Sequence, residues 1–431
     1  MTVILLMGAT LVLLLAAGFP IALVLGTTGV VWTFIYNPNA LSGIAHTVFN
    51  TSASEALIAV PLFVLMGQMV QHSMVSQRFY QAVAVWLRRV PGGLLHANIA
   101  VCSVFSAVNG SSVATAATVA SAALPSMVRH KYDLRLATGT LAAGGTLGIL
   151  IPPSIPLIVY GSVAQESIGK LFMAALVPAL VLVILFHAYI FIRAVRDPAV
   201  APSDPAAKTG AGELLRSLGA MLPVMTIIVA VLGGIYTGWT TSTEAAAVGA
   251  FMSMLVAAGY RALSLKMLRT VLTETVMLTA MIFFIVIGAQ IFSYAIYTWG
   301  LNSEIARFID ALSYPRVVVF AIIVLVYLVL GMFVDALSLM LMTIGVVLPI
   351  IVKLGYDPIW FGIVLVLLLE IGLITPPVGM NLFTIKAVSP DLKLSDVALG
   401  SLPFVAMMLV VVGLLVAFPQ IALWLPFRVG S

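Results

Sequence analysis

Long apolar segments separated by short polar ones occupy most of the chain. Twelve can be read from the sequence, at roughly 2–18, 20–36, 57–76, 93–128, 136–161, 170–195, 218–239, 243–260, 271–299, 317–352, 359–385 and 399–425. Most are near the roughly 20 residues with which an α-helix crosses a bilayer. The pattern therefore predicts an all-α polytopic membrane protein rather than an outer-membrane barrel, whose strands alternate over about ten residues.

Two of these segments, 93–128 and 317–352, are 36 residues long. As helix each would span about 54 Å, which is short of two crossings of a core about 30 Å thick once a turn is subtracted. We therefore predict two re-entrant helical hairpins, each of which enters and leaves the membrane on one side. Two full spans joined by a turn would give the same topology, and only the length favours the hairpin.

Pro-Pro pairs interrupt two other segments. The first lies in GGTLGILIPPSIP at residues 144–156, and the second lies in GLITPPVGMN at residues 372–381. Proline has no amide donor and clashes with the preceding turn, so each pair should break its helix and leave carbonyl groups without helical partners. Inside a membrane this is tolerated only where the backbone faces protein, water or a bound ion. Two such breaks in corresponding halves of a chain indicate a transport site near the bilayer midplane.

Composition supports the membrane assignment. Hydrophobic residues make up 62% of the chain and charged residues 8%, whereas soluble domains average roughly 45–50% and about 25%. The net charge of +5 is expected to set topology and does not indicate nucleic-acid binding. The single cysteine, Cys102, excludes an internal disulfide. No Walker motif and no catalytic constellation stands out, so an enzyme is not predicted.

Basic residues predict the topology. No Lys or Arg precedes Arg78, which favours an outside N-terminus and a first helix that is kept rather than cleaved as a signal. If each hairpin makes no net crossing, 15 of the 20 Lys and Arg residues fall on the inner side and 5 on the outer side. This is the excess that the positive-inside rule expects, and it places the C-terminus outside as well.

The chain is predicted to consist of two inverted repeats. Residues 1–196 and 218–431 each hold three spans, a hairpin, a broken helix (136–161 or 359–385) and a final span. A polar linker at 197–217 separates them. Because each repeat makes five net crossings, the second is inserted upside down relative to the first.

Two further segments are expected at the membrane surfaces. Residues 37–54 read as an outer loop or interfacial helix. Residues 77–89 read as an amphipathic helix at the inner surface, with Tyr80, Val83 and Trp86 on one face.

Polar residues at the hairpin tips are the candidates for chemistry. In the first hairpin Gly110 permits a tight reversal, and the residues around it offer side-chain oxygens suited to Na⁺, namely Asn109, Ser111 and Ser112. Close helix packing is the alternative for such small residues. In the second, Asp335 is an ionisable group at membrane depth, with a functional role or a helix cap as alternatives. Glu370 has the same ambiguity, whereas Glu244 is interpreted as part of a helix start.

No Lys or Arg occurs in 90–128, 136–169, 317–352 or 354–385. An anionic substrate would therefore meet no arginine from the hairpins or broken helices. Half-helix N-termini, each equivalent to about half a positive charge, and bound cations would attract it instead.

At these residues the chain resembles the large membrane subunit, or M subunit, of the tripartite ATP-independent periplasmic (TRAP) transporters. The resemblance covers essentially the whole chain. It is carried by four stretches: GGLLHANIAVCSVFSAVNGSSVATAATVASAALPSM at 92–127, GGTLGILIPPSIPLIVYG at 144–161, TEAAAVGA at 243–250, and LGMFVDALSLMLMTIGVVLPIIVKLGYDPIWFGIVLVLLLEIGLITPPVGMNLF at 330–383.

The resemblance implies an elevator-type transporter, in which hairpins and broken helices slide together against a scaffold, and Na⁺ as the coupling ion. It also implies a small membrane subunit (Q subunit) with about four spans, a periplasmic protein that delivers an organic-acid substrate, and a bacterial cytoplasmic (inner) membrane location. A stand-alone Na⁺/divalent-anion symporter of related architecture is the alternative, and a membrane-embedded enzyme is the rival from another class.

Site residues follow from the family motifs. The implied Na⁺ ligands are Ser106, Asn109, Gly148, Ile151, Pro153, Gly331, Gly372, Thr375 and Val378. Substrate contacts are predicted at Asn109, Ser111, Ser112, Pro152, Ser154, Asp335, Ser338 and Pro376. Many relatives resemble Ser-Gly-Ser-Ser where this chain has Asn-Gly-Ser-Ser from Asn109, whose longer side chain offers an amide oxygen in place of a hydroxyl.

Overall fold

The computed structural model describes residues 2–202, 210–300, 304, 307 and 314–429, and these residues form helices joined by turns. Thirteen helices precede residue 300: α1 (Thr2–Ala16), α2 (Ile21–Tyr36), α3 (Leu41–Ser52), α4 (Glu55–His72), α5 (Val75–Leu87), α6 (Leu94–Asn109), α7 (Ser112–Arg129), α8 (Leu134–Thr146), α9 (Ile155–Ala164), α10 (Ile168–Arg196), α11 (Ala211–Tyr236), α12 (Ser242–Gly259) and α13 (Leu265–Thr298). Six follow: α14 (Arg316–Gly331), α15 (Ala336–Lys353), α16 (Pro358–Leu373), α17 (Met380–Val388), α18 (Leu394–Ala417) and α19 (Gln420–Val429). Seven helices of the described residues are long and apolar enough to cross a membrane. The prediction of an all-α polytopic fold is confirmed.

Each 36-residue segment folds as a pair of helices. In the first pair, α6 has 16 residues and α7 has 18, and in the second pair α14 has 16 and α15 has 18. These lengths correspond to about 24 and 27 Å of helix, somewhat less than a hydrocarbon core of about 30 Å. The re-entrant path relative to the membrane stays a prediction, because it depends on where the bilayer lies.

The Pro-Pro segments are broken as predicted. A 3₁₀ turn at Leu147–Ile149 follows α8, and an irregular stretch separates it from α9. In the second half, residues 374–379 separate α16 from α17. The bonds Pro152-Pro153 and Pro376-Pro377 are both cis.

The helices pack in two groups. α2 packs on α13, and α4 packs on α12 and α13, which forms an outer group to which α11 also belongs. The hairpins and broken helices form an inner group with α10 and α18, in which α8 contacts α6, α7 and α18. α16 lies at the centre of the inner group, and every residue from Ile359 to Leu373 is buried. An apolar, wholly buried helix of this kind is enclosed by protein rather than by lipid.

One predicted alternative is decided by the structure, and two other predicted segments differ in detail. Of residues 37–54, predicted as a loop or an interfacial helix, residues 41–52 form the helix α3. The final segment, predicted as one span at 399–425, is two helices with a break at Phe418-Pro419, because proline disfavours helical backbone in the residue before it. On α5, Tyr80 and Val83 are buried, whereas Trp86 is 43% exposed and donates through Nε1 to Ser217 Oγ at 2.8 Å.

The division into two inverted repeats stays a prediction. Of its linker, residues 203–209 lie outside the described residues. Helix α10 ends at Arg196, as predicted, whereas α11 begins at Ala211, so the last seven residues of the predicted linker are helical.

Candidate functional site

The first hairpin tip is a buried turn. α6 ends at Asn109, and Gly110 reverses the chain with φ +58°, a left-handed conformation that favours glycine. Ser111 caps α7 by accepting a hydrogen bond from the Ala114 amide at 3.5 Å. Asn109 is 6% exposed, and neither polar atom of its side chain has a hydrogen-bond partner among the described residues. A buried amide without partners is costly, so a ligand that bonds to it would be stabilised.

Ser106 lies one helical turn before this tip and is fully buried. Its hydroxyl donates to the Cys102 carbonyl at 2.5 Å, and its own carbonyl accepts from the Gly110 amide at 3.1 Å. Because the hydroxyl donates backwards along α6, the lone pairs of Ser106 Oγ stay available to a cation.

The first break is also buried, and its backbone leaves acceptors free. Ser154 caps α9, since its hydroxyl accepts from the Leu157 amide at 3.4 Å and donates to the Ile149 carbonyl at 2.5 Å. No backbone amide of the described chain donates to the carbonyl groups of Ile151, Pro152 and Pro153. These oxygens are the unwound carbonyls that the Pro-Pro motif predicts.

The first tip and the first break are in direct contact. A Cβ built on Gly148 would lie 2.7 Å from the carbonyl oxygen of Ser111, and a Cβ built on Gly110 would lie 3.1 Å from the carbonyl oxygen of Pro153. Both approaches involve backbone, which cannot move aside as a side-chain end can. Glycine at positions 110 and 148 therefore permits the tip to seat against the break.

The second tip and the second break meet in the same manner. A Cβ on Gly372 would lie 2.5 Å from the carbonyl oxygen of Gly331. Thr375 donates through Oγ1 to the Ile371 carbonyl at 2.6 Å. In the part of the chain that the structure describes, no backbone amide donates to the carbonyls of Thr375, Pro376, Pro377 and Val378.

The two breaks differ in exposure. Pro152, Pro153 and Ser154 are buried, whereas Pro376 and Val378 are exposed, the latter by 37%. The second tip is open as well, with Phe333 60% exposed. The two predicted ion sites therefore share an unwound backbone and differ in exposure, since the first is buried and the second is exposed.

Two of the three predicted carboxylates are helix caps. Asp335 precedes α15 and accepts from the Ser338 amide at 3.0 Å, which is the capping role that was one of its two alternatives. Glu244 forms a capping box with Thr241, as expected. Glu370 is different, because it is fully buried and neither carboxyl oxygen has a hydrogen-bond partner within the described residues.

Asn381 joins the two halves of the site and was not singled out from the sequence. It lies on α17, just beyond the second break, and is fully buried. Its Nδ2 donates to Ser112 Oγ at 2.7 Å and to the Ala142 carbonyl at 3.3 Å, which connects the second break to the first tip and to α8. Its Oδ1 has no hydrogen-bond partner among the residues described. The only signal in the sequence was an amide in an otherwise apolar stretch, and its partners lie 269 and 239 residues away.

Comparison with solved structures gives the class of protein. The chain matches the crystal structure of the Alcanivorax borkumensis YdaH transporter with a TM-score of 0.63 at 13% identity, over 90% of this chain and 91% of that one. At this identity the likeness shows the fold alone. Broken helices seated on hairpin tips in such a fold define a polytopic helical membrane protein.

Sequence comparisons give the family. The model described as "Tripartite ATP-independent periplasmic transporter, DctM component" matches residues 9–421. The chain belongs to this family and is a TRAP large membrane subunit.

Individual relatives match over most of their length. A C4-dicarboxylate TRAP transporter large permease protein of Pseudomonas aeruginosa is 36% identical over 94% of each chain, and a sialic acid TRAP transporter large permease protein of Vibrio cholerae is 32% identical over 96% of each. An isethionate TRAP transporter permease protein of Oleidesulfovibrio alaskensis, named DctMQ, is 32% identical over 96% of this chain and 64% of that protein.

Proposed function

We propose that this chain is the large subunit of a secondary transporter that imports an organic acid by coupling it to Na⁺ and moving it through an elevator-type motion. TRAP large permeases work with a small permease subunit and a periplasmic binding protein, and we extend this arrangement to the present chain. Two of the relatives are named for carboxylates, C4-dicarboxylate and sialic acid, and the third is named for the sulfonate isethionate, so all three named substrates are organic acids. The small subunit has support from the DctMQ relative, of which this chain covers 64%.

The observation that carries the proposal is the pairing of each hairpin tip with a break whose carbonyls lack backbone donors. Neutral carbonyl and hydroxyl oxygens at an unwound helix are the ligands that transporters use for Na⁺. The first site would use Ser106, Asn109 and the carbonyls of Gly148, Ile151 and Pro153. The second would use Thr375 and the carbonyls of Gly331, Gly372 and Val378, of which the Gly372 carbonyl already accepts from the Thr375 amide at 3.3 Å.

The first tip is the better position for the carboxylate of the substrate. Helix α7 begins at a neutral serine cap, so its amides retain their attraction for an anion. Helix α15 begins at Asp335, whose carboxylate already occupies that end. A substrate carboxylate is therefore favoured near Ser111, Ser112 and Ser154 and disfavoured near Asp335.

The contact between α4 and the first hairpin tip supports the elevator-type motion. A Cβ built on Gly67 of α4 would lie 3.0 Å from Asn109 Cα, so the two backbones approach closely here. Because glycine has no side chain, Gly67 gives the least steric hindrance to a first hairpin tip that slides past α4.

Reconstituted liposomes test the proposal. The subunit is combined with its small partner and the binding protein encoded beside it, and uptake of labelled succinate and of sialic acid is measured with and without an inward Na⁺ gradient. We expect uptake of one acid that requires both the gradient and the binding protein. Uptake without any binding protein would instead support the stand-alone symporter, and uptake that is indifferent to Na⁺ would contradict the ion coupling.

A further inference from the structure

A cationic pocket lies away from the tips and breaks, between α5 and α7. Its volume is about 400 Å³. Two arginines, Arg88 and Arg129, line it together with His130, and no Asp or Glu is among its described lining residues. Both arginines belong to the 15 basic residues predicted on the inner side. The pocket therefore opens at the predicted cytoplasmic surface.

Arg88 has unused hydrogen-bonding capacity. Its Nη2 donates to Glu213 Oε1 at 2.7 Å, and this ion pair holds the guanidinium at the start of α11. Its Nε is buried and has no hydrogen-bond partner among the described residues. A buried donor of this kind is costly unless an acceptor reaches it.

Arg129 also keeps guanidinium nitrogens for another partner, whereas His130 bonds to the backbone. Arg129 donates through Nε to the Pro125 carbonyl at 3.3 Å, which leaves the terminal nitrogens of its guanidinium for an anion. The Nδ1 of His130 lies 2.7 Å from the Ser126 carbonyl, so this nitrogen carries the proton and donates. Two guanidinium groups at one pocket are suited to the oxygens of a phosphate or carboxylate.

The remaining lining residues are of two kinds. Ala84, Val85, Leu94, Ala122 and Pro125 are apolar, and Gln77, Tyr80, Gln81, Ser121, Ser126 and Tyr132 are polar. Cationic, polar and apolar groups together at a membrane surface match an amphiphile, whose headgroup and glycerol use the polar groups and whose upper acyl carbons use the apolar ones. Basic pockets between helices on the cytoplasmic side have this character.

We propose that this pocket binds the phosphate headgroup of an anionic phospholipid from the inner leaflet. The lipid phosphate contacts the guanidinium groups of Arg88 and Arg129, and its glycerol and upper acyl carbons lie against Ala122 and Pro125. Because α5 packs on α11 of the outer group and α7 is an arm of the first hairpin, the bound lipid bridges the two groups of helices.

Native mass spectrometry of the complete transporter complex tests the proposal, with phosphatidylglycerol titrated into micelles that contain phosphatidylcholine. We expect one phosphatidylglycerol to bind in preference to phosphatidylcholine. Arg129→Gln should weaken this binding about fivefold, the loss expected when one basic residue is removed from a membrane surface. The matched control is Arg269→Gln, which removes a charge on the same predicted face outside the pocket.

Two further variants separate the pocket from general charge and from folding defects. Arg88→Gln combined with Glu213→Gln removes the guanidinium without a change of net charge, and it should also weaken binding. Ala122→Phe fills the pocket without removing any charge, and it should exclude the lipid. The elution volume and helix content of each variant are compared with those of the parent protein.

Three results would overturn the assignment. The first is equal binding of phosphatidylglycerol by the parent and all pocket variants. The second is equal weakening by Arg269→Gln, which indicates a diffuse surface charge. The third is saturable binding of succinate in phosphatidylcholine alone that disappears in Arg129→Gln, which would make the pocket a site for free carboxylates.

Discussion

Thr375 is the residue at which the proposed ion coupling is most directly open to a test. Its hydroxyl donates to the Ile371 carbonyl, so a cation would bind the lone pairs of Oγ1. Thr375→Ala should therefore reduce the apparent Na⁺ affinity of uptake by about tenfold, the equivalent of about one charge-assisted contact. The measurement is the initial rate of uptake against Na⁺ concentration in liposomes.

Thr384→Ala is the matched control for this substitution. Thr384 is also half-buried and donates to the carbonyl four residues earlier, that of Met380, at 2.9 Å. Both variants lose the same intrahelical bond, but only Thr375 lies at a break. Equal Na⁺ dependence of the two variants would remove Thr375 from the ligand set.

Residues near a break could be proposed from the sequence because their roles follow from local chemistry. The Pro-Pro pairs at 152–153 and 376–377 predict a break, whereas a single proline such as Pro178 lies inside an unbroken helix, and Gly110 marks a reversal. The cap at Asp335 follows from a similarly local rule, whereas Ser154 was predicted as a substrate contact and its role as the cap of α9 came from the structure. The exposure of Val378 could not be predicted from the sequence, because it depends on how the second hairpin packs and not on the residues next to Val378 in the chain.

At the scale of elements, the bond between Asn381 and Ser112 connects the second broken helix to the first hairpin. If the two ion sites act together, this bond is a direct route between them. A double-mutant cycle with Asn381→Ala and Ser112→Ala should give a coupling of about 1 kcal/mol in unfolding. The same variants should lower the Hill coefficient for Na⁺ in the uptake assay.

A second buried pair provides the comparison. Asn98 Nδ2 donates to Thr140 Oγ1 at 2.9 Å, but both residues belong to the first half of the chain. A cycle with Asn98→Ala and Thr140→Ala should show similar coupling in unfolding and an unchanged Hill coefficient. A Hill coefficient that falls equally in both cycles would assign the effect to lost stability.

The ends of most helices could be predicted from the sequence, whereas the contacts between helices could not. Apolar runs and prolines determine where α8 and α16 end, since each acts within a few residues. The break at Phe418-Pro419 was missed because the residues on both sides are equally apolar. The contact between Asn381 and Ser112 spans 269 residues, and no periodicity within either helix encodes it.

At the scale of the whole molecule, the proposed motion requires the inner helices to pass the outer ones. Gly67 on α4 meets Asn109 Cα so closely that a leucine there would obstruct the hairpin tip. Gly67→Leu should yield inserted protein whose uptake rate falls at least tenfold, because bulk at this contact opposes the passage. Initial uptake rate and thermal stability are measured together.

Gly233→Leu is the control for bulk in an outer helix. Gly233 lies inside α11, and a Cβ there would have no atom within 4 Å. This variant should keep both uptake and stability close to those of the parent. Normal uptake by Gly67→Leu would show that the first tip does not pass α4 during transport.

The unequal burial of the two breaks has a kinetic consequence. If the two proposed Na⁺ sites are occupied, an ion at the exposed second break would exchange with its surroundings without any movement of the chain, whereas an ion at the buried first break would be enclosed by the seated hairpin. In this conformation the ion at the second break would leave first. Release of the ion from the first break, rather than movement of the substrate, would then limit the rate of the transport cycle.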